Sequence, residues 1–146
     1  AIRPLAGARR IQLVCYRPGR PVLALAEPSF LERCTENLVG NALQALRESR
    51  EQSGVVRVAV YLEEEAVRVE VADNGPPLPE GAGERLFEPM VSVRPQDGRT
   101  PHLGLGLAIV RIVAMRHGGD ARAANRADGK GVVVAVSLPL ASGEAD

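Results

Sequence analysis

Two asparagines stand four residues apart in Glu36-Asn37-Leu38-Val39-Gly40-Asn41-Ala42, inside a long helical pattern. On a helix that spacing stacks them one above the other on a single face. Asparagine is a poor helix former because its amide competes for backbone hydrogen bonds, and Gly40 between the two weakens the helix further. Amide oxygens are neutral, hard ligands suited to Mg²⁺ and its waters; the same stretch also reads as a solvated polar face. A second chemical stretch is Asp73-Asn74-Gly75, at the end of an apolar strand pattern. A carboxylate there can accept a hydrogen bond from an exocyclic amine such as that of adenine, and the glycine lets backbone approach a flat ring. Asp, Asn, Gly and Pro are equally the residues of a plain turn. A third stretch is Gly104-Leu105-Gly106-Leu107, where an apolar helical run begins. Glycines at a helix mouth leave N–H groups bare at the positive end of the dipole, an arrangement that receives phosphate. Ile109 stands where the dinucleotide fingerprint needs its third glycine, and no Gly-Lys-Ser/Thr follows, so neither that motif nor a Walker loop is present.

The elements that must position these groups belong to a chain of 146 residues, 25% charged and 45% hydrophobic. That is the composition of one ordinary globular domain, long enough to bury roughly 70% of its unfolded surface. Lys plus Arg equals Asp plus Glu, so no global field argues for nucleic acid or an anionic membrane. No apolar run approaches the roughly 20 residues of a membrane span, and no signal-peptide pattern opens the chain. Cys15 and Cys34 fit no metal spacing and read as reduced, buried cysteines of a cytosolic protein. Aromatics make up 3% and Trp is absent, which argues against a stacking platform for single-stranded nucleic acid.

In chain order, residues 1–8 read as a tail or linker end. Arg9 to Tyr16 alternates loosely, through Ile11, Leu13 and Cys15, as a strand, and Val22 to Leu25 makes a short apolar strand. Pro28 opens a helix at its first position, where the missing N–H costs nothing. Phe30, Leu31, Cys34, Leu38, Ala42, Ala45 and Leu46 form its buried stripe, with Arg33, Asn37, Asn41 and Gln44 on the adjacent stripe. Two strands rich in Val (Val55 to Leu62 and Val67 to Val71) flank Glu63-Glu64-Glu65 and predict an antiparallel hairpin, with one covered and one wetter face. Gly83 to Phe87 predicts a short helical turn. Ser92 to Leu103 lacks periodicity and has the length at which a loop is often functional; Arg94 and Arg99 there could reach phosphates. The run after Gly106 predicts a helix buried nearly all round and stopped by Gly118-Gly119, with His117 as a C-terminal residue of that helix. A last hairpin turns across residues 127–130, with Val132, Val134, Val136 and Leu138 alternating. Residues 9–140 form the domain and residues 141–146 a tail.

The order of these motifs resembles the ATP-binding catalytic domain of bacterial sensor histidine kinases, in the wider GHKL ATPase superfamily. They run as an Asn-x-x-x-Asn helix, a strand ending in Asp-x-Gly, a Phe-Glu-Pro patch, a loop, and a Gly-x-Gly helix. The resemblance covers about Arg9 to Leu140. It implies an α/β (α+β) two-layer sandwich of the GHKL or Bergerat type, with a mixed, largely antiparallel sheet and helices on one face. It also implies roles: Asn41 would ligate Mg²⁺ bridging the ATP phosphates, and Asn37 would support it. Asp73 would bind the adenine amino group, with Gly75 letting the ring sit close. Phe87 would belong to the patch anchoring a lid, Arg94 would lie near the phosphates, and Gly104, Leu105, Gly106 and Leu107 would wrap them. Where the family usually has a second glycine after Gly75, this chain has Pro77, which fixes φ and removes a donor; a stiffer hinge or lower affinity is the expected consequence.

The reaction implied is transfer of the γ-phosphoryl of Mg-ATP to a histidine. Serine kinases of the anti-sigma type, GHKL ATPases and non-catalytic nucleotide-binding modules are the alternatives. A serine hydroxyl or water needs a general base, which those relatives supply as Glu one turn before the metal ligand. This chain has Asn37 there, which takes no proton, whereas neutral imidazole is already a nucleophile near pH 7. Glu36 is about 100° of helix rotation away and is expected to point elsewhere. The chain's two histidines, His102 and His117, fall outside any dimerisation segment. The acceptor is therefore expected on a separate histidine-bearing dimerisation domain preceding residue 1. The response regulator is the expected further partner, without nucleic acid or direct membrane contact. The chain is then a cytoplasmic domain of a parent bound to the inner membrane, with little turnover alone and with residues 92–103 unprotected before nucleotide binds.

Overall fold

The computed structural model describes residues 10–16, 19, 24, 26–47, 49, 53–89 and 106–141. Strand β1 (Arg10–Tyr16) is followed by helix α1 (Pro28–Arg47), strands β2 (Ser53–Leu62) and β3 (Ala66–Asp73), and a 3-10 turn (Glu84–Phe87). Helix α2 (Gly106–Arg116) and strands β4 (Asp120–Asn125) and β5 (Val132–Pro139) complete the order. The five strands form one sheet in the order β1-β2-β3-β5-β4. β1 runs parallel to β2, because the α1 crossover between them returns the chain in the same direction. The remaining pairs are antiparallel. The sheet is thus mixed and largely antiparallel, as the family resemblance implies.

The alternation of each strand decides which face is dry. Val56, Val67, Val71, Val132, Val134, Val136 and Leu138 share one face and join the core cluster with Phe30, Cys34, Leu38, Ala42 and Leu46 of α1. Leu38 and Leu46 are fully buried, each worth about 1.5–3 kcal/mol relative to exposure. Burial raises the Cys34 thiol to about 11, so it remains a protonated apolar filler. The opposite sheet face carries Arg57, Tyr61, Arg68 and Glu70, and among the described residues no helix covers it. Of the expected strand at Val22 to Leu25, Ala24 alone is described; it makes an isolated bridge to Leu140.

Two expected burial patterns differ from the structure. Cys15 is exposed, not buried, and Leu13 and Tyr16 are exposed with it. β1 is the sheet edge, and only Ile11 of its residues packs on the core. Helix α2 is not buried all round either. Leu107, Ala108, Val110 and Ala114 are buried, but Ile109 is 50% and Met115 60% exposed, as is Ile112 at 51%. Among the described residues α2 has cover on one side only, from α1, β4, β5 and the 3-10 turn, so its apolar residues outnumber the positions that these neighbours can cover.

The end of α2 fixes its seat on the sheet. Gly118 N–H donates to Met115 O and Gly119 N–H to Ala114 O, at 3.0 and 2.8 Å, the paired bonds of a Schellman motif. Gly118 has φ +87, a left-handed value that suits glycine. At Gly119 the constraint is space: a Cβ there would stand 1.8 Å from Ser137 O of β5. Gly119→Ala must therefore separate β4 from β5 and is expected to cost more stability than Gly118→Ala, which should lose about 1–2 kcal/mol for its backbone strain. Denaturant melts of both variants rank them; a Gly119→Ala protein as stable as the parent would refute the tight contact.

Candidate functional site

The core stripe of α1 faces the sheet, and the neighbouring stripe faces a cavity of about 490 Å³, within the range of small-molecule sites. Asn37, Asn41 and Gln44 line it as their helical spacing predicts, and Arg47 continues the same face one turn on. Arg33, expected on this stripe, is exposed and lies outside the lining. The opposite wall comes from Arg85 and Leu86 of the 3-10 turn and from Glu88 just after it, and the end from Gly106 and Leu107 at the start of α2. The Asn41 side chain makes no hydrogen bond to another described residue, so its amide is available to a ligand.

Asn37 and Gly106 explain each other. A Cβ on Gly106 would stand 2.8 Å from Asn37 Oδ1 and 3.1 Å from its Cγ. Glycine lets the first turn of α2 sit against the amide as it stands, whereas a Cβ would make the Asn37 side chain turn aside, and the contact lies where the N-terminus of α2 meets the cavity. That helix end has no acidic residue in its first turn, so its positive dipole end is not locally neutralised.

Asp73 ends β3 and is 2% exposed. Gly75 N–H donates to its Oδ1 at 2.8 Å. Burial raises its carboxyl above the ordinary value, against the lowering effect of backbone N–H groups of Gly75 and Val132 and of the Arg126 charge. Gly131 presses on this corner from β5: a Cβ there would stand 1.8 Å from Asp73 O. Gly75 in turn lies against α1, where a Cβ would stand 3.2 Å from Ala45 O. Asp73 and Gly75 thus back the last turn of α1 and are not among the residues lining the cavity. Asn74 locks the corner by accepting from Val55 N–H at 2.7 Å and donating to Ser53 O at 3.2 Å. Beyond it, Asn125 accepts from Leu78 N–H at 2.7 Å and donates to Leu78 O at 3.0 Å, which ties the stretch with exposed Pro77 to the end of β4.

Phe87 is buried beneath the cavity wall, with the Arg111 guanidinium 4.8 Å from its ring centroid. Arg111 also pairs with Glu84 and reaches Asp120 Oδ1 at 3.3 Å. It therefore joins the 3-10 turn, α2 and β4 at one point, and it lowers the Glu84 carboxyl by hydrogen bonding. Nothing in the sequence pattern singled out Arg111, because its three partners come from distant segments. Arg47, Arg85 and Glu88 were likewise missed, although the three-residue step from Asn41 through Gln44 leads directly to Arg47. Glu36 differs from expectation: it is exposed but borders the cavity as well as the outer face of α1. A wide cavity mouth reaches across the 100° that separates it from Asn37. Arg94, Gly104 and Leu105 lie outside the described residues, as do residues 92–103 as a whole. Among the described residues no group of three or more His, Cys, Asp or Glu side chains could hold a metal, so any ion here would rest on amide oxygens and on oxygens of a bound ligand. His117 follows α2 as expected, with Nδ1 2.8 Å from Val113 O and its ring stacked on Phe30 at 5.0 Å.

The raised Asp73 carboxyl has a definite consequence. Its folded-state value lies above the unfolded one, so the group favours the fold most below about pH 3.8 and loses that contribution as pH rises through the folded value. Melting temperatures measured from acid to neutral pH are expected to fall for the parent relative to Asp73→Asn. Parallel curves would show that the carboxyl is not destabilised by burial.

The family described as Histidine kinase-, DNA gyrase B-, and HSP90-like ATPase matches residues 26–142. Sensor histidine kinase GtrS of Pseudomonas aeruginosa is 38% identical over 115 residues, 77% of this chain and 22% of that protein. The nucleotide-free catalytic domain of histidine kinase ThkA superposes with a TM-score of 0.71 at 28% identity, covering 88% of this chain and 80% of that one; ThkA is also known in complex with response regulator protein TrrA. Full-length ShkA in complex with AMPPNP superposes with a TM-score of 0.72 at 27% identity, over 90% of this chain and 26% of that one. The chain spans about a fifth of the length of the curated relatives it matches. With four-fifths of its residues inside the family match and the same open mixed sheet, the chain belongs to the histidine kinase-, DNA gyrase B-, and HSP90-like ATPase family.

Proposed function

We propose that this chain binds Mg-ATP and holds the γ-phosphate for transfer to a histidine on a separate dimerisation segment of a two-component sensor kinase. The observation that carries the reading is the convergence of Asn37, Asn41 and the bare N-terminus of α2 on one cavity. The kinase relatives and the AMPPNP and response-regulator complexes support it. A response regulator is then the downstream partner, and the catalytic domain works on the cytoplasmic side of a membrane-bound parent. Among the described residues no helix is long and apolar enough to cross a membrane.

The residues divide the work by chemistry. Asn41 offers a hard, unengaged amide oxygen and would hold Mg²⁺, with phosphate oxygens and water completing the shell. When bound, the ion neutralises charge on the phosphates. Asn37 braces that site through Gly106, and the α2 N-terminus receives phosphate oxygens. Asp73 retains lone pairs beyond the two backbone N–H groups it accepts, enough for an adenine amine that reaches it past Gly75. Arg94, Gly104, Leu105 and Leu107 complete the phosphate side of the same reading, and Phe87, held by Arg111, supports the wall. Catalysis is then positioning plus electrostatic stabilisation, with the neutral imidazole of the acceptor as nucleophile.

Glu36 supports a second reading, hydrolysis or transfer to serine, because its carboxylate borders the cavity and either reaction needs a base. Glu36→Gln separates the two. The histidine-kinase reading expects phosphoryl transfer to a supplied histidine-bearing dimerisation domain to continue at the parental rate. Abolished phosphate release or serine transfer in Glu36→Gln would favour the second.

Calorimetric titration with ATP, with and without Mg²⁺, tests the site itself. Asn41→Ala is expected to weaken Mg-ATP binding by about 10- to 100-fold and to remove most of the Mg²⁺ dependence. Asp73→Ala is expected to weaken adenosine and ATP alike. A parent chain that binds no ATP would end the kinase reading for this domain.

A further inference from the structure

Arg47 is the last residue of α1 and lies on the cavity face, three and six residues on from Gln44 and Asn41. Its Nε is buried and has no hydrogen-bond partner. A buried donor of a charged group without an acceptor is costly, and a folded domain rarely keeps one without use. Two carboxylates, Glu36 and Glu88, border the same cavity, yet neither pairs with Arg47 among the described residues. The guanidinium therefore stands in a cavity of nucleotide size with its Nε buried and, among the described residues, with no carboxylate partner.

Resting on the nucleotide reading above, we propose that Arg47 is a phosphate-binding residue of this cavity, supplying a charged donor at the end of α1 opposite the α2 N-terminus. Arg85, on the facing wall, adds a second cation to the cavity. The planar fork of arginine presents several N–H donors to phosphate oxygens, and the acceptor that Nε lacks in the protein arrives with the ligand. The phosphates are then held from two directions: by backbone N–H groups at Gly106 and by a side-chain cation at Arg47.

The test titrates the whole chain with ATP, ADP, adenosine and tripolyphosphate, as parent, Arg47→Met and Arg47→Lys. Arg47→Met is expected to weaken ATP, ADP and tripolyphosphate by about 10- to 100-fold while leaving adenosine nearly unchanged. The melting temperature without ligand should hold or rise, because an unpaired buried donor is replaced by apolar volume. Arg47→Lys should recover part of the phosphate affinity, since it keeps the charge and loses the fork. If Arg47→Met does not fold, Arg47→Lys carries the test through the same selectivity for phosphate over adenosine. Equal weakening of adenosine and ATP, or unchanged ATP affinity, would overturn the proposal. Failure of the parent to bind ATP would instead remove the nucleotide reading. In that case, loss of tripolyphosphate binding in Arg47→Met would still uphold the anion site, and no difference between the two would overturn it.

Discussion

The contact between the Asn37 amide and the Gly106 backbone is the constraint on which the site depends. A Cβ on Gly106 would collide with Asn37 Oδ1, so a larger residue there would turn the Asn37 amide out of its present place. α1 is itself seated on β2 and β3 by Phe30, Cys34, Leu38, Ala42 and Leu46, and the contact lies where α2 begins. The start of α2 forms one end of the cavity.

A second constraint works from the sheet side. Asp73 is buried at the end of β3 between Gly75, which touches the last turn of α1, and Gly131, whose backbone abuts Asp73 O. Here too glycine admits backbone where any larger residue would push elements apart. The carboxyl is held by N–H groups in a place that disfavours its charge. Such an arrangement is hard to justify by stability alone, since an apolar residue of similar size would avoid the burial cost. It is economical if the same oxygens also meet a ligand.

The elements were legible because their periodicities are clean. β2, β3 and β5 alternate, α1 has one apolar stripe, and Gly118-Gly119 stops α2 where glycine geometry requires. That Asn37 and Asn41 share a cavity face was legible because helical spacing alone puts them on one side, and Gly106 because it opens an apolar helical run. The misreadings share a cause: sequence tells which residues are apolar, not how many neighbours remain to cover them. Cys15 and Leu13 lie on an edge strand, while Ile109, Ile112 and Met115 lie on a helix covered from one side. Arg111 was invisible for the complementary reason. Its value comes from Glu84, Phe87 and Asp120, brought together only by the fold.

These facts bear on how a domain can place charge and polar groups at a cavity without losing its core. α1 gives one stripe to the sheet and the next to the cavity, so the two faces meet along a single helix and differ by a rotation of about 100°. Asn37, Asn41 and Gln44 sit at that border half-buried, where solvent or ligand can satisfy amides that the core could not. Arg47 extends the border to the helix end, where the negative end of the dipole favours a cation. The polar stripe thus runs from amides that suit a metal ion to a guanidinium that suits an anion, in the order in which the helix passes the cavity. Substitutions that leave the apolar stripe intact should alter ligand binding along this edge with little effect on the sheet behind it, because the residues concerned share a helix with the core and few of its contacts.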